Sequence, residues 1–139
     1  MPSAAHQTLL MWAARKMVHD GFRIAGYDGR SAQGGAWNDL GSPPIIRGVR
    51  PDAWAFDGVR IAFAEAKTSA DVDTEHTRLQ LELLVGLRDP ATGARCRLYL
   101  AIPRSAASLL DRVIRAASVV GRPEVVRLHV PDILLRQVA

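Results

Sequence analysis

A chain of 139 residues supplies about one domain's worth of core, and an apolar share of 48% excludes a disordered chain. A single cysteine, Cys96, excludes an internal disulfide framework; with no apolar run approaching a membrane span, it points to a soluble, cytoplasmic protein with no membrane partner. The net charge of +4 and a pI of about 10.0 favour polyanionic partners, because neutralising phosphates releases counterions.

Taken in chain order, residues 3–20 carry His6, Leu9, Leu10, Ala13 and Met17 at the spacing of a helix stripe. Ser3 can cap this helix and Gly21 follows its end, so the N-terminus reads as an amphipathic helix rather than a signal peptide. Residues 22–27 read as a strand. Asp28 to Gly48, with Gly34-Gly35 and Pro43-Pro44, is poorly patterned, and a loop that long in a compact domain is functional or mobile. Residues 51–67 read as a hairpin around the turn signal Asp57-Gly58. Asp73 or Thr74 caps a helix running to about Arg88, and Asp89-Pro90 and Gly93 break it. Residues 96–102 form a strand stopped by Pro103. Ser105 then caps a helix with Leu109, Leu110, Val113, Ile114 and Ala117 on its apolar face, and Val125 to Val130 is the last strand. The order α-β-β-β-α-β-α-β describes one α/β domain over residues 1–139.

The hairpin carries the chemistry. A two-residue turn at Asp57-Gly58 sets Phe56 against Val59, Trp54 against Ile61 and Asp52 against Phe63. Alternation then places Asp52, Trp54, Phe56, Ile61, Phe63, Glu65 and Lys67 on one sheet face. Ala53, Ala55, Ala62, Ala64 and Ala66 share the other, a smooth surface for a closely packed helix. Asp52 and Glu65 become diagonal neighbours about 7–8 Å apart at the backbone. Two converging carboxylates repel unless a cation lies between them, and hard oxygen donors suit Mg²⁺ or Mn²⁺. Of the 18 basic residues only Lys16 and Lys67 are lysines. In a chain that writes arginine wherever positive charge suffices, a lysine two residues from Glu65 marks a place where a compact ammonium matters. Lys16 lies on a helix surface and carries no such meaning.

Arg50-Pro51-Asp52, followed after the turn by Glu65-Ala66-Lys67, resembles the PD-(D/E)XK nuclease superfamily. The resemblance covers about three quarters of the chain and implies a restriction-endonuclease-like α-β-β-β-α-β core, here with an added C-terminal helix and strand. Small standalone domains of the resolvase-like and VRR-type kind are most similar in size. The resemblance implies Mg²⁺- or Mn²⁺-dependent phosphodiester hydrolysis, in DNA by preference, with RNA not excluded. Asp52 and Glu65 would be metal ligands, Lys67 catalytic, and Gln80 the polar residue contributed by the following helix. Many relatives cut as homodimers. Many also carry a glutamate on the first helix, whereas residues 3–19 contain no acid, leaving His6 or Gln7 for that place.

Competing readings attach to several of these residues. The same fold can serve as a catalytically inactive nucleic-acid-binding or assembly domain. Glu65 and Lys67 can be solvated strand-end residues, with Glu65 paired to Arg50 across the hairpin. Arg47 and Arg50 flank the site and can contact phosphates. His6 and His76 weigh more as ordinary helix histidines than as ligands, although His76 precedes Gln80, Leu84 and Leu87 on one stripe. Trp54 and Phe56 are expected in the core, and Pro131-Asp132 as a turn after the last strand.

Overall fold

The structure, a computed structural model, describes residues 3–29, 37 and 39–136. Its elements in chain order are α1 (Ala4–His19), β1 (Arg23–Tyr27), β2 (Ala53–Phe56), β3 (Ile61–Ala66), a short α2 (Ser69–Val72), α3 (Glu75–Val85), β4 (Arg97–Pro103), α4 (Ala107–Ala116) and β5 (Val125–Val130), with 3₁₀ turns at Arg104–Ala106 and Asp132–Leu135. The order read from the sequence is therefore present, with α2 added. Gly34-Gly35 lies outside the described residues. No described helix is long and apolar enough to cross a membrane.

The strands form one mixed sheet in the order β1-β2-β3-β4-β5, antiparallel through β3 and parallel from β3 to β5. One face is the alanine surface: Ala53, Ala55, Ala62, Ala64 and Ala66 pack with Leu9, Leu10, Ala13, Ala14 and Met17 of α1. Small side chains on the sheet let the helix approach closely, and all five of those α1 residues are fully buried. The other face buries Phe63, Leu98, Leu100 and Ile102 under Leu81 and Leu84 of α3 and Leu110 and Val113 of α4. The central strands β3 and β4 are thus covered on both sides, whereas Arg23 and Ala25 of the edge strand β1 are exposed.

The hairpin register differs from the two-residue turn. Phe56 pairs with Ile61, Trp54 with Phe63 and Ala53 with Ala64. The connection is the four-residue loop Asp57 to Arg60, because the Asp57 carboxylate accepts the amides of Val59 (2.9 Å) and Arg60 (2.6 Å) and Gly58 takes φ +98°. The pairing moves by two residues, an even number, so every side chain of β2 and β3 keeps its face. Asp52 lies in the bend before β2, and its amide donates to the carbonyl of Ala64, the partner of Ala53, so the strand register does not itself set Asp52 against Glu65.

Four further expectations are corrected. Phe56 is 38% exposed, because it sits at the turn end of the hairpin beyond the cover of the helices, whereas Trp54 is half-buried against the α3/α4 core. Thr74 caps α3, accepting the Thr77 amide at 3.1 Å, and the helix stops at Val85, with Gly86 at its C-terminus, rather than near Arg88. Its buried stripe starts at Thr77, leaving His76 exposed. Ser105 does not cap α4. It lies in the preceding 3₁₀ turn, where its amide donates to Asp132 at 3.0 Å and its hydroxyl also donates to that carboxylate. Asp132, expected only as part of a turn, ties the last segment to the start of α4.

Candidate active site

At the C-terminal end of β3, Asp52, Glu65, Lys67 and Gln80 come together. Glu65 enters last on the large-residue face of β3, beyond Phe63, and is 2% exposed. Gln80 arrives from the buried stripe of α3 and links two of the others: its Nε2 donates to Glu65 Oε1 at 3.4 Å, and its Oε1 accepts from Lys67 Nζ. The Lys67 ammonium stands 3.9 Å from Glu65 Oε2 with a side chain 13% exposed. The Lys67 amide continues the ladder to Ala101 at 3.0 Å, which fixes the direction of its side chain. Lys16, the other lysine, pairs with Asp20 one turn along α1.

Asp52 precedes β2, and its amide donates to the Ala64 carbonyl at 3.0 Å. Its Oδ2 accepts the Ala66 amide at 2.8 Å and lies 3.2 Å from His6 Nε2. His6 stands in the first turn of α1, where its amide is capped by Ser3 Oγ. The first helix therefore delivers His6, not Gln7, to the carboxylates, from the sheet face opposite Gln80. The Ala66 amide had no side-chain signal in the sequence and became visible only with the hairpin register in place.

Electrostatics follow from this crowding. Burial foremost, then the Asp52 charge, push the Glu65 carboxyl well above its ordinary value; the Lys67 ammonium opposes them. The hydrogen bond to Asp52 raises the His6 pKa against the effect of its own burial. Burial first and the Asp52 charge second push the Tyr27 phenol to about 12, so it stays neutral beside the site. The paired alternative for Glu65 does not hold: it is buried, no ion pair with Arg50 is formed among the described residues, and Arg50 is exposed. Arg47 and Arg50 are both exposed in the segment leading into Asp52, Arg47 in a tight turn closed by Ile46 and Val49 with φ +49°.

Two facing carboxylates, one buried and raised by the other's charge, form a hard-oxygen donor pair that suits Mg²⁺ or Mn²⁺. Among the described residues no three His, Cys, Asp or Glu side chains form a metal-holding group. An ion that keeps several waters and takes substrate phosphate oxygens requires only one or two carboxylates. The donor set fits that mode of binding. Comparison with protein-family models, with curated proteins and with solved structures finds no match to this chain.

Proposed function

We propose that this chain is a metal-dependent nuclease of the PD-(D/E)XK type, with a restriction-endonuclease-like core, hydrolysing phosphodiester bonds in DNA. The observation that carries the reading is the convergence of Asp52, Glu65, Lys67 and Gln80 at the C-terminal end of β3. Asp52 and Glu65 would hold the cation. Bound there, a divalent cation supplies a polarised phosphoryl oxygen and a water of lowered pKa. Lys67 places a compact positive charge where negative charge develops on the phosphate, and Gln80 restrains its ammonium. A cation bound there would offset the burial and the Asp52 charge that favour the protonated form of Glu65. The exposed Arg47 and Arg50, in the segment leading into Asp52, would contact the flanking phosphates. Cutting both strands of a duplex calls for two such sites, so a homodimer is the proposed assembly, checked by sedimentation velocity.

The test is incubation with labelled duplex, branched and single-stranded DNA in Mg²⁺, Mn²⁺ or EDTA. Cleavage in either metal and none in EDTA is expected. Lys67→Ala should lower the rate about 10²–10³-fold while preserving the fold and DNA affinity. Lys67→Arg should not restore it, because a guanidinium is larger, planar and permanently protonated. Binding without cleavage on all three substrates in both metals would favour a non-catalytic nucleic-acid-binding domain.

A further inference from the structure

We propose that His6 is a positioning residue for Asp52: its Nε2–H fixes Oδ2 of the carboxylate, so that Oδ1 is the oxygen presented to the cation. The inference rests on the reading of Asp52 and Glu65 as a cation site and adds a residue and a division of labour to it. Oδ2 already receives two N–H groups, the Ala66 amide at 2.8 Å and His6 at 3.2 Å, whereas among the described residues no N–H reaches Oδ1. An oxygen with two donors is a poor metal ligand, and its partner oxygen is left free.

The ring geometry identifies His6 as donor. His6 Nδ1 is buried with no hydrogen-bond partner. A proton on Nδ1 alone would bury an unpaired N–H and aim the Nε2 lone pair at a carboxylate oxygen, two unfavourable arrangements at once. With Nε2 protonated both are relieved. The Ser3 cap holds the backbone of His6, so the donor is supplied from a fixed first helical turn. The Ala66 amide comes from the strand that carries Glu65, so the same two hydrogen bonds set the orientation of one carboxylate relative to the other.

The experiment is Mn²⁺ binding by calorimetry to wild type, His6→Ala and His6→Gln, with the electron spin-echo modulation spectrum of Mn²⁺ bound to the wild type. His6→Ala should bind about 10–100-fold more weakly, the usual loss when a partner of a ligating carboxylate is removed. His6→Gln, whose amide can donate from about the place of Nε2, should bind close to wild type. The wild-type spectrum should show no coordinated imidazole nitrogen. A nitrogen coupling would make His6 a direct ligand and overturn the assignment, as would equal binding by wild type and His6→Ala. A wild type that binds neither Mn²⁺ nor Mg²⁺ overturns the cation site and the role of His6 together. Binding by the wild type with His6→Ala unaffected overturns the role of His6 alone.

Discussion

Glu65 carries an acid where the sheet would otherwise place an apolar side chain, and the fold is strained electrostatically for it. Its folded carboxyl sits well above the ordinary 4.5, mainly through burial and then through Asp52. The folded state thus favours the protonated acid. The stabilisation is complete below the ordinary value and is lost as pH rises through the raised folded value. In EDTA the wild type should therefore lose thermal stability from about pH 5 upward more steeply than Glu65→Gln, which keeps a neutral side chain of the same shape. At neutral pH the variant should melt higher. Mg²⁺ at about one hundred times its Kd should return about 2.7 kcal/mol to the wild type and nothing to the variant. Superimposable melting profiles of the two proteins across pH would remove the buried charge from the account. Part of the arrangement was legible in advance: alternation put Lys67 beside Glu65 at the end of β3, and the scarcity of lysine singled out Lys67, whereas Asp52 approaches Glu65 from a bend outside the strand. The choice between His6 and Gln7 was not, because the hydrogen bond with Asp52 spans 46 residues and depends on how α1 lies across the sheet. Asp132 was unreadable for a similar reason, its partner Ser105 lying 27 residues away.

The hairpin shows why a wrong turn length left the facing of the strand residues unchanged. Loop type sets register by local hydrogen bonds, here those of the Asp57 carboxylate, and Asp-Gly alone does not distinguish a two-residue turn from a four-residue loop. Facing is set by parity, which a shift of two preserves. The alanine surface has an energetic consequence. Ala62 is completely buried against α1, with no room for a longer side chain. Ala62→Leu should destabilise the protein by about 1–3 kcal/mol through overpacking. Val59→Ala, at a loop position 56% exposed, should change stability by no more than about 0.5 kcal/mol. Urea unfolding followed by circular dichroism measures both. A neutral Ala62→Leu would mean that α1 does not lie as closely on the sheet as the buried alanines require.

Covering both faces of β3 and β4 leaves the two ends of these strands chemically distinct. Glu65 and Lys67 lie at the C-terminal end of β3, while Arg95 precedes β4 at the opposite end of the parallel pair. Arg47 and Arg50 stand exposed in the segment running into Asp52 and form no ion pairs among the described residues, whereas Arg95 is engaged with Glu124 at 3.4 Å. A net charge of +4 would attract any polyanion, so the proposed DNA binding is tested by which arginines displace counterions. On that proposal they include Arg47 and Arg50, unpaired among the described residues and close in sequence to Asp52. Arg47→Asn keeps a residue that tolerates the positive φ of the turn, and Arg50→Ala alters an exposed position outside any helix or strand, so neither should disturb the fold. Each should weaken duplex binding, and together they should reduce the slope of log K against log salt by about 1.8, that is about 0.9 for each phosphate left without its arginine. Arg95→Ala, at the far end, should leave the slope unchanged. Fluorescence anisotropy at several salt concentrations, without divalent metal so that no DNA is cut, reads all three. A slope lowered by Arg95→Ala and unmoved by the Arg47 and Arg50 substitutions would place the DNA at the wrong end of the sheet for Asp52 and Glu65 to reach it.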